Sequence, residues 1–570
     1  MASIVRAMPI PETPIKEWNE LELRYQELTS SSLNDQNAYR YLLDWSDLLK
    51  EIEEGETYLN LQSDLNTANE AATAELSHFN QVTKPKVTLA NAALRRRFLA
   101  LAAPQLPDAA FLIRRRMQSD EAAYCETNVS LEADHADLVN EFSRLTGNNL
   151  AEYNGQKLTI PQIEEKLRAP DRTVRQGAWR AWQAAKQKIA PALDELFLRM
   201  FRLRRQMAAN LGVDNYRTLI WHRYHRYDYT PADCADLHAS IAEEVVPWAS
   251  ELLETHRRRL GLSSLKPWDF YWKAPVDPEG RNPLHPFDTV EQLESTTEAI
   301  FSTIDPELGR QFAGFRNGFM DLGSRPNKMP HAYCASFPKK GMPFVLQNVV
   351  GSENDVRVTL HEFGHAFHGY ASMQAQPLFW NYFSATEFVE VPSQAMEVLA
   401  LPYLHKARGG FYDDEALKRV YQAQIAAVVH LLTWIGFMDS IQHWIYAEAP
   451  VELTIGQIDR KAEQLIARFM PQTDWTGLEP QLAKVWHYHH IFSTPFYYIE
   501  YGLSWLGALQ IWRNSLQDPV EALSRYRAAL NLGNSKSVPE LFAAAGARFA
   551  FDRGTVRELM RFLREQLHEP

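Results

Sequence analysis

The fold of this chain is decided by residues 352–369, which read SENDVRVTLHEFGHAFHG. The segment Ser352–Asp355 resembles a capping box, which predicts that a helix begins here. Gly369 predicts the end of the same helix. Four apolar residues within the stretch predict that the helix is buried: Leu360, Phe363, Ala366 and Phe367.

Two histidines in the middle of this helix have a spacing that suits a metal ion. His361 and His365 are four residues apart and share one helix face, so both imidazoles can reach a single ion. Glu362 projects beside them, where it can take a proton from water at that ion. The alternative is a pair of solvated histidines on an exposed helix. The apolar neighbours argue against it, because two unpaired imidazoles are expensive to bury.

A catalytic zinc ion needs a third protein ligand and an open position for water. A metzincin pattern would place a third histidine six residues after His365, but that position is Ala371. His368 lies on the same helix face and is a candidate ligand. The preferred interpretation of His368 is a neutral histidine in the core or behind the ligands.

The preferred third ligand is Glu390, within the stretch FVEVPSQ. The segment Ser384–Glu387 resembles another capping box, and Pro392 is best tolerated in the first turn of a helix. Glu390 is therefore expected near a helix start, with its carboxylate free to reach the histidines. Glu387 is the rival ligand. Glu397 lies two turns beyond Glu390 and is expected to orient a ligating histidine.

Most of the remaining sequence predicts helices, since apolar residues recur at three- and four-residue intervals. Five helical stretches are predicted before the metal helix: Trp18–Leu28, Ala38–Ile52, Leu138–Leu145, Asp171–Leu211 and Thr230–Leu260. The fourth is expected to be two helices broken near Pro191. Two short strands, Ala332–Phe337 and Pro343–Val349, are predicted around the turn Pro338–Gly341. The fold class is therefore mainly α with a small β element beside the metal helix.

Composition narrows the class of protein further. The 570 residues are 45% hydrophobic and 23% charged, which is typical of a globular protein. There are 59 basic and 71 acidic residues, and the net charge of −12 argues against nucleic acid as a partner. The three cysteines form no Cys-x-x-Cys pair and predict no disulfide framework, which fits a reducing compartment.

The sequence also bears on membranes and targeting. Residues 1–18 contain no long apolar run before their prolines, so no secretory signal is predicted. The most apolar segment, Ile425–Met438, contains His430 and Thr433 and is too short to span a bilayer, so it is predicted to be a buried helix. We expect a cytoplasmic protein with no membrane partner.

The chain resembles the oligoendopeptidase F and thimet oligopeptidase family of zinc metallopeptidases. HEFGH, followed by FVEVPSQ with Glu390 25 residues after His365, carries the resemblance. Four further segments are similar to the family: Asp321–Lys328, Tyr333–Asn348, Pro495–Tyr501 and Leu541–Gly546. Residues 200–560 are covered well, whereas the preceding part is similar only in being helical, at a length that suits the oligoendopeptidase F branch.

The resemblance implies a two-lobed helical fold with a deep central channel. Residues 1–199 would be an N-terminal helical region forming part of the channel wall, and residues 200–570 the catalytic domain. His361, His365 and Glu390 would hold one Zn²⁺. Glu362 would be the general base and later the proton donor.

The resemblance also implies that a histidine and tyrosines contact substrate and stabilise the oxyanion. The matching residues are His490, Tyr497 and Tyr501, with Tyr498 as a fourth candidate and His489 as the alternative to His490. An aromatic core is the alternative interpretation of this cluster.

Two positions depart from the family pattern. His331 stands where relatives often have glycine. The pair Ile499-Glu500 replaces a more usual Tyr-Gln and is expected to add a negative charge near the substrate channel.

The metal-ligand pattern and the resemblance together predict a zinc-dependent endopeptidase that hydrolyses internal peptide bonds. The restriction to short peptides is implied by the resemblance alone. An exposed strand at Ala332–Phe337 could pair with the backbone of such a peptide. The alternative within enzymes is a zinc carboxypeptidase or dipeptidyl carboxypeptidase on a similar scaffold. From another class, a peptide-binding scaffold without metal is conceivable, although the intact set of Glu362 and three ligands argues against it. The expected assembly is a monomer or a homodimer.

Overall fold

Helices dominate the chain in its computed structural model, which describes residues 17–147, 149–271, 274–275, 277 and 279–568. The predicted class, mainly α with a small β element, is confirmed. Residues 1–16, on which the prediction of no secretory signal rests, lie outside the described residues.

The α-helices follow one another along nearly the whole described chain. In chain order they are α1 (Trp18–Ser30), α2 (Ala38–Leu65), α3 (Glu70–His78), α4 (Lys84–Leu99), α5 (Asp108–Ala122), α6 (Val129–Gly147), α7 (Ile160–Leu167), α8 (Arg172–Leu211), α9 (Tyr216–Arg223), α10 (Pro231–Ser240), α11 (Val246–Arg259), α12 (Val290–Ile304), α13 (Pro306–Phe315), α14 (Glu353–Ala375), α15 (Thr386–Val389), α16 (Val391–Leu399), α17 (Asp414–His443), α18 (Ile455–Phe469), α19 (Glu479–Ala483), α20 (His489–Phe492), α21 (Ile499–Gln517), α22 (Pro519–Leu532), α23 (Val538–Ala544) and α24 (Arg553–His568).

The strands are short and form small sheets. In chain order they are β1 (Ala151–Tyr153), β2 (Gln156–Leu158), β3 (Phe270–Tyr271), β4 (Ala274–Pro275), β5 (Met320–Gly323), β6 (Tyr333–Phe337) and β7 (Met342–Val349). β1 pairs with β2 and β3 with β4, each pair antiparallel, and the last three strands form one sheet in the order β5-β7-β6.

The hairpin predicted before the metal helix is present. β6 and β7 are antiparallel, and Phe337 pairs with Met342 next to the turn. β5 lies parallel to β7 on its other side, so β6 is an outer strand of this sheet. The buried ammonium of Lys328 joins β5 to β7, because it donates hydrogen bonds of 3.0 and 2.6 Å to the carbonyls of Gly323 and Gln347.

The chain divides into two compact units that alternate along the sequence. Unit 1 comprises residues 1–121, 283–417 and 507–549, and unit 2 comprises residues 122–282, 418–506 and 550–570. These units do not follow the predicted division into residues 1–199 and 200–570, whose boundary lies inside α8. As a division of function between the two parts of the chain, that boundary stays a prediction.

Pro191 does not break α8, contrary to the prediction. The segment Arg172–Leu211 is one helix of 40 residues with the proline inside it. A proline within a helix removes one backbone hydrogen bond and costs about 3 kcal/mol. The side chains of Leu193 and Phe197 are buried just beyond it, and burial of such side chains is worth about 1.5–3 kcal/mol each. Tertiary packing therefore offsets the cost of the proline, and the helix continues past it.

The metal helix, α14, begins as predicted and ends later than predicted. The Ser352 hydroxyl accepts a hydrogen bond of 3.2 Å from the amide of Asp355, and the capping box is complete. Gly369 lies inside the helix, which continues to Ala375. Gly369 is not among the glycines with positive φ, and glycine ends a helix chiefly by adopting that left-handed conformation.

The apolar helix predicted at Ile425–Met438 is longer than expected. Among the described residues, the segment Asp414–Glu448 is long and apolar enough to cross a membrane by length and composition alone. Of its most apolar window, 67% is buried inside the protein. The segment consists of α17 and a π-helical turn at Trp444–Glu448.

Candidate active site

The three predicted metal ligands lie together in unit 1. The Nε2 atoms of His361 and His365 lie 3.2 and 3.3 Å from the same carboxylate oxygen, Oε2 of Glu390. Both histidines come from α14, and Glu390 is the residue before the first turn of α16. Each side chain is less than a quarter exposed. Three ligand atoms thus converge on one point that solvent can still reach.

A close approach of two helices produces this convergence. Gly364 lies between the histidines, and a Cβ there would stand 2.5 Å from the Cα of Ser393 and 2.7 Å from the carbonyl oxygen of Pro392. Only glycine fits, so its absent side chain lets α16 approach α14 with Glu390 opposite the histidines. The hydroxyl of Tyr526 donates a hydrogen bond of 2.9 Å to the same Pro392 carbonyl and fixes the start of α16.

A second layer of polar groups orients the ligands. Nδ1 of His361 lies 2.8 Å from Oε1 of Glu397, which is the carboxylate expected to orient a histidine. The other Glu397 oxygen accepts a hydrogen bond of 3.3 Å from Arg357. When Nδ1 donates to Glu397, Nε2 keeps its lone pair for an ion. The hydroxyl of Ser393 donates to Oε2 of Glu390 at 3.0 Å.

The side chain of Glu362 is buried but is not tied to a protein donor. It is 6% exposed, and no described side chain donates a hydrogen bond to its carboxylate. Burial raises the pKa of Glu362, although the neighbouring histidines partly oppose that shift. Cys334 of β6 lies close enough for the charge of Glu362 to add to the effect of burial on the thiol pKa. A buried carboxylate of raised pKa with free lone pairs is suited to accept a proton.

The donor set fits a divalent metal ion. Burial lowers the pKa of His361, but hydrogen bonds to Glu390 and Glu397 outweigh this and raise it to about 10. Burial would raise the pKa of Glu390, but the two histidines hold it well below its usual range. The protein therefore places a strongly attracting negative charge beside two imidazoles. Two imidazoles and one carboxylate are a known ligand set for catalytic zinc.

Neither of the rival ligands joins this group. Nε2 of His368 lies 3.0 Å from the hydroxyl of Ser384, which donates in turn to the carbonyl of Gly533. Burial and the charge of His365 lower the pKa of His368 to about 3, so it is a neutral core histidine. Glu387 is also buried and is not among the ligand atoms that converge.

The capping box predicted at Ser384–Glu387 is wrong. α15 begins at Thr386, and Ala385 occupies the capping position without a side-chain hydrogen bond. The hydroxyl of Ser384 is engaged by His368 and Gly533 instead. Ser384 therefore hydrogen-bonds to residues distant in the sequence and does not cap the helix that follows it.

The predicted substrate-contacting residues form a second cluster, in unit 2. The ring of His490 packs against the rings of Tyr497, Tyr498 and Tyr501, with centroid distances of 6.2, 4.8 and 6.0 Å. His489 is exposed and packs on Phe142, with a centroid distance of 6.0 Å. Of the two adjacent histidines, His490 is therefore the one among the tyrosines. Burial is the main cause that lowers its pKa to about 4.

Glu500 does not present an unpaired negative charge, although its departure from the family pattern led us to expect one. Its carboxylate is fully buried and forms an ion pair with Arg226. The same guanidinium donates a hydrogen bond of 2.6 Å to the carbonyl of Phe496, whose amide donates to Gln442 Oε1 at 2.7 Å. Phe496 has φ +66°, a left-handed conformation that is unfavourable for a bulky residue. The ion pair thus fixes the backbone turn just before Tyr497.

Several of these positioning residues were not singled out in the sequence. Arg357 precedes His361 by four residues, a helical spacing that could have indicated it. Arg226 lies 274 residues from Glu500 along the chain, and no local pattern connects the two.

The fold and the site together define a class. This is a mainly helical protein in which a His-Glu-x-x-His helix and a glutamate from a second helix form a candidate centre for one catalytic metal ion. The profile of Peptidase family M3 matches residues 166–561, which is more than half of the chain. The chain belongs to Peptidase family M3, and the predicted relationship to oligoendopeptidase F is confirmed.

Known relatives agree with this placement. The oligoendopeptidase F homolog of Borreliella burgdorferi is 24% identical over 255 residues, 43% of this chain and 42% of the relative. The chromosomal oligoendopeptidase F of Lactococcus lactis subsp. cremoris is 21% identical over 326 residues, 56% of this chain and 51% of the relative. The matches thus span about half the length of these relatives. The solved structure of PZ peptidase A with inhibitor 2 shares the fold, with a TM-score of 0.87 at 22% identity over 98% of each chain.

The contact at Gly364 gives a testable prediction. Gly364→Ala should lower the free energy of unfolding by about 1–3 kcal/mol through overpacking against α16, and should weaken metal retention because Glu390 moves away. Gly369→Ala is the matched control on the same helix, since its Cβ would meet Ser336 Oγ only at 3.8 Å. Urea denaturation measures the first effect, and the metal content after dialysis measures the second. Equal behaviour of the two variants would contradict the close-contact argument.

Proposed function

We propose that this protein is a zinc-dependent endopeptidase that cleaves internal bonds of short peptides. The observation that carries the proposal is the convergence of His361, His365 and Glu390 beside an unengaged Glu362. Membership in Peptidase family M3 supports peptides as the substrate class. The resemblance to oligoendopeptidase F supports short peptides and internal cleavage.

The ligand set supports zinc as the metal. His361 and His365 would bind it through Nε2, and Glu390 through Oε2, because those atoms converge. When bound there, zinc would supply Lewis-acid chemistry that polarises the peptide carbonyl and lowers the pKa of water towards neutrality. Glu397 keeps the ring of His361 in the tautomer that presents Nε2.

Proton transfer is assigned to Glu362. Its carboxylate accepts the proton of the attacking water and passes it to the nitrogen of the departing amine. The raised pKa of Glu362 suits both halves of this transfer, because the carboxyl group can hold the proton between the two steps. The reaction needs no covalent bond to the protein, so the cysteines have no part in it.

Substrate binding is assigned to β6 and to the cluster in unit 2. β6 is an outer strand of its sheet, so an extended peptide can add to it through backbone hydrogen bonds. His490, Tyr497 and Tyr501 are proposed as donors to the substrate and to the oxyanion, on the strength of their match to the family motif. Their hydrogen-bonding atoms would stabilise charge that develops on the carbonyl oxygen.

The first prediction from this proposal concerns the type of cleavage. A peptide of about ten residues, capped at both ends, should be cut internally, and a chelator should abolish the cuts until zinc is restored. Mass spectrometry of the products identifies the bonds. The same peptide with free ends is the control. Cleavage of the free-ended peptide alone, by one or two C-terminal residues, would contradict the endopeptidase and indicate a carboxypeptidase or dipeptidyl carboxypeptidase.

The role of Glu362 is tested by Glu362→Gln. This variant should keep its zinc, because all three ligands remain, and should lose about 10²–10⁴-fold in kcat/KM because the base is gone. The matched control is Glu353→Gln, the same substitution in the first turn of α14, which should retain activity. Near-normal turnover of Glu362→Gln would remove Glu362 from the mechanism.

The role of Glu390 is tested by metal binding. Glu390→Ala should weaken zinc affinity by more than about 100-fold. Loss of a residue that only hydrogen-bonds to a metal ligand costs up to about 100-fold, and loss of a ligand itself should cost more. His368→Gln should keep its zinc, because His368 is hydrogen-bonded to Ser384 and not to the ligand group. Competition with a coloured chelator measures both affinities. A full zinc complement in Glu390→Ala would assign the third ligand to another residue.

A further inference from the structure

A second group of metal-ligating side chains lies in unit 2 and has no part in the proposed reaction. One ligand atom each from Cys234, Asp439 and His443 lies within 4.8 Å of the other two. A fourth donor adjoins them, since Nε2 of His238 lies 2.7 Å from Oδ2 of Asp439. The group therefore brings together a thiol, a carboxylate and two imidazoles.

Two helices provide these side chains in matching pairs. Cys234 and His238 are four residues apart on α10, and Asp439 and His443 are four residues apart on α17. Each pair shares one helix face, as His361 and His365 do on α14. Each helix also passes into a π-helical turn shortly after its pair, at Ile241–Val245 and at Trp444–Glu448. Such turns often occur at functional sites.

The group is enclosed and incompletely satisfied. Cys234 and Asp439 are 0% exposed, and His238 and His443 are 6% exposed. Oδ1 of Asp439 and Nε2 of His443 are buried and have no hydrogen-bond partner in the described part of the chain. His443 Nε2 does lie 3.3 Å from Asp439 Oδ2, but not in hydrogen-bond geometry. Buried polar atoms without partners cost about 1–3 kcal/mol each, and one ion would satisfy both.

The charges of the group match a divalent cation. Cys234 and Asp439 are the two acidic side chains of the group, and both are fully buried. An ion that takes the place of the thiol proton would face a thiolate and a carboxylate, whose two negative charges balance its own. Thiolate and imidazole donors select zinc over magnesium or calcium, which prefer oxygen.

Arg217 sets one condition on ion binding. Its guanidinium lies 3.1 Å from Nδ1 of His443, and a guanidinium can only donate, so the ring hydrogen is on Nε2 when no ion is bound. An ion at Nε2 displaces that hydrogen, Nδ1 takes up a proton, and the Arg217 side chain turns away.

We propose that Cys234, His238, Asp439 and His443 form a second, structural zinc site that joins α10 to α17. Four protein ligands leave no open position for water, which is the arrangement of structural rather than catalytic zinc. This inference is independent of the proposed peptidase activity.

Cobalt absorption distinguishes this site from the catalytic one. The metal-stripped full chain is titrated with Co²⁺, and the thiolate-to-cobalt charge-transfer band in the near ultraviolet is recorded together with the bound metal per chain. The wild type should bind two ions and show the band, because Cys234 is a ligand. His361→Ala should keep the band and lose one ion. Absence of the band in the wild type, whether one ion or two are bound, would overturn the proposal; one ion with the band would count against the catalytic site only.

Cysteine variants identify the ligand. Cys234→Ala should lose the band and one ion, while keeping zinc-dependent peptide cleavage. The matched control Cys334→Ala should keep the band, because Cys334 belongs to β6 in unit 1. A band that survives Cys234→Ala, or that disappears in Cys334→Ala, would overturn the assignment.

Two further variants guard against a folding defect in Cys234→Ala. His443→Gln should also bind one ion, with helical content by circular dichroism unchanged; two ions in this variant would contradict the proposal. Arg217→Gln should bind the second ion more tightly than the wild type, because its amide oxygen can accept a hydrogen bond from Nδ1 of His443. Weaker binding in Arg217→Gln would contradict the proposed move of the His443 ring hydrogen from Nε2 to Nδ1.

Discussion

The contact between α14 and α16 at Gly364 is the constraint on which the candidate active site depends. A ligand group needs three side chains on one point, and α14 alone can offer only its two histidines. The third comes from α16, and it reaches them because no side chain stands between Gly364 and the backbone of Ser393. Tyr526 holds the Pro392 carbonyl from α22. The metal geometry is thus a consequence of backbone packing and does not depend on flexible side chains finding one another.

In both units a buried carboxylate is paired with an arginine, and each pair also fixes the position of a third group. Arg357 engages Glu397, and Glu397 fixes the ring of His361. In unit 2, Arg226 pairs with Glu500 and holds the carbonyl of Phe496. Removing one partner of such a pair typically costs about 3–5 kcal/mol, because the other charge is left buried. A substitution of Arg226 would therefore disturb the backbone before the tyrosine motif without changing any tyrosine.

The sequence correctly predicted the features that depend on interactions between neighbouring residues. The capping box at Ser352, the hairpin before α14 and the position of Glu390 before Pro392 all depend on residues within a few positions of one another, and the structure contains each of them. The resemblance that the HEFGH and FVEVPSQ segments indicate agrees with the match of the Peptidase family M3 profile to residues 166–561.

Three of the wrong predictions failed because contacts with residues distant in the sequence outweighed the local signal. Pro191 should have ended a helix, but buried side chains beyond it carry α8 on. Ser384 should have capped α15, but it binds His368 and Gly533. Glu500 was expected to present a charge, but Arg226, 274 residues earlier, neutralises it. Sequence periodicity contains no term for such contacts, so these features could be found only once the fold was known.

The two candidate metal sites differ in how far the sequence alone can predict them. His361, Glu362 and His365 lie within five residues on one helix, so the sequence alone predicts both the ligands and the base. In the second group each helix offers only two donors, and His238 and Asp439 are 201 residues apart. A pair of donors at helical spacing is too common to indicate a site by itself. Where α10 meets α17, ligand atoms of Cys234, Asp439 and His443 converge, and His238 adjoins Asp439. The buried atoms without partners among the described residues there are the physical reason to expect an ion.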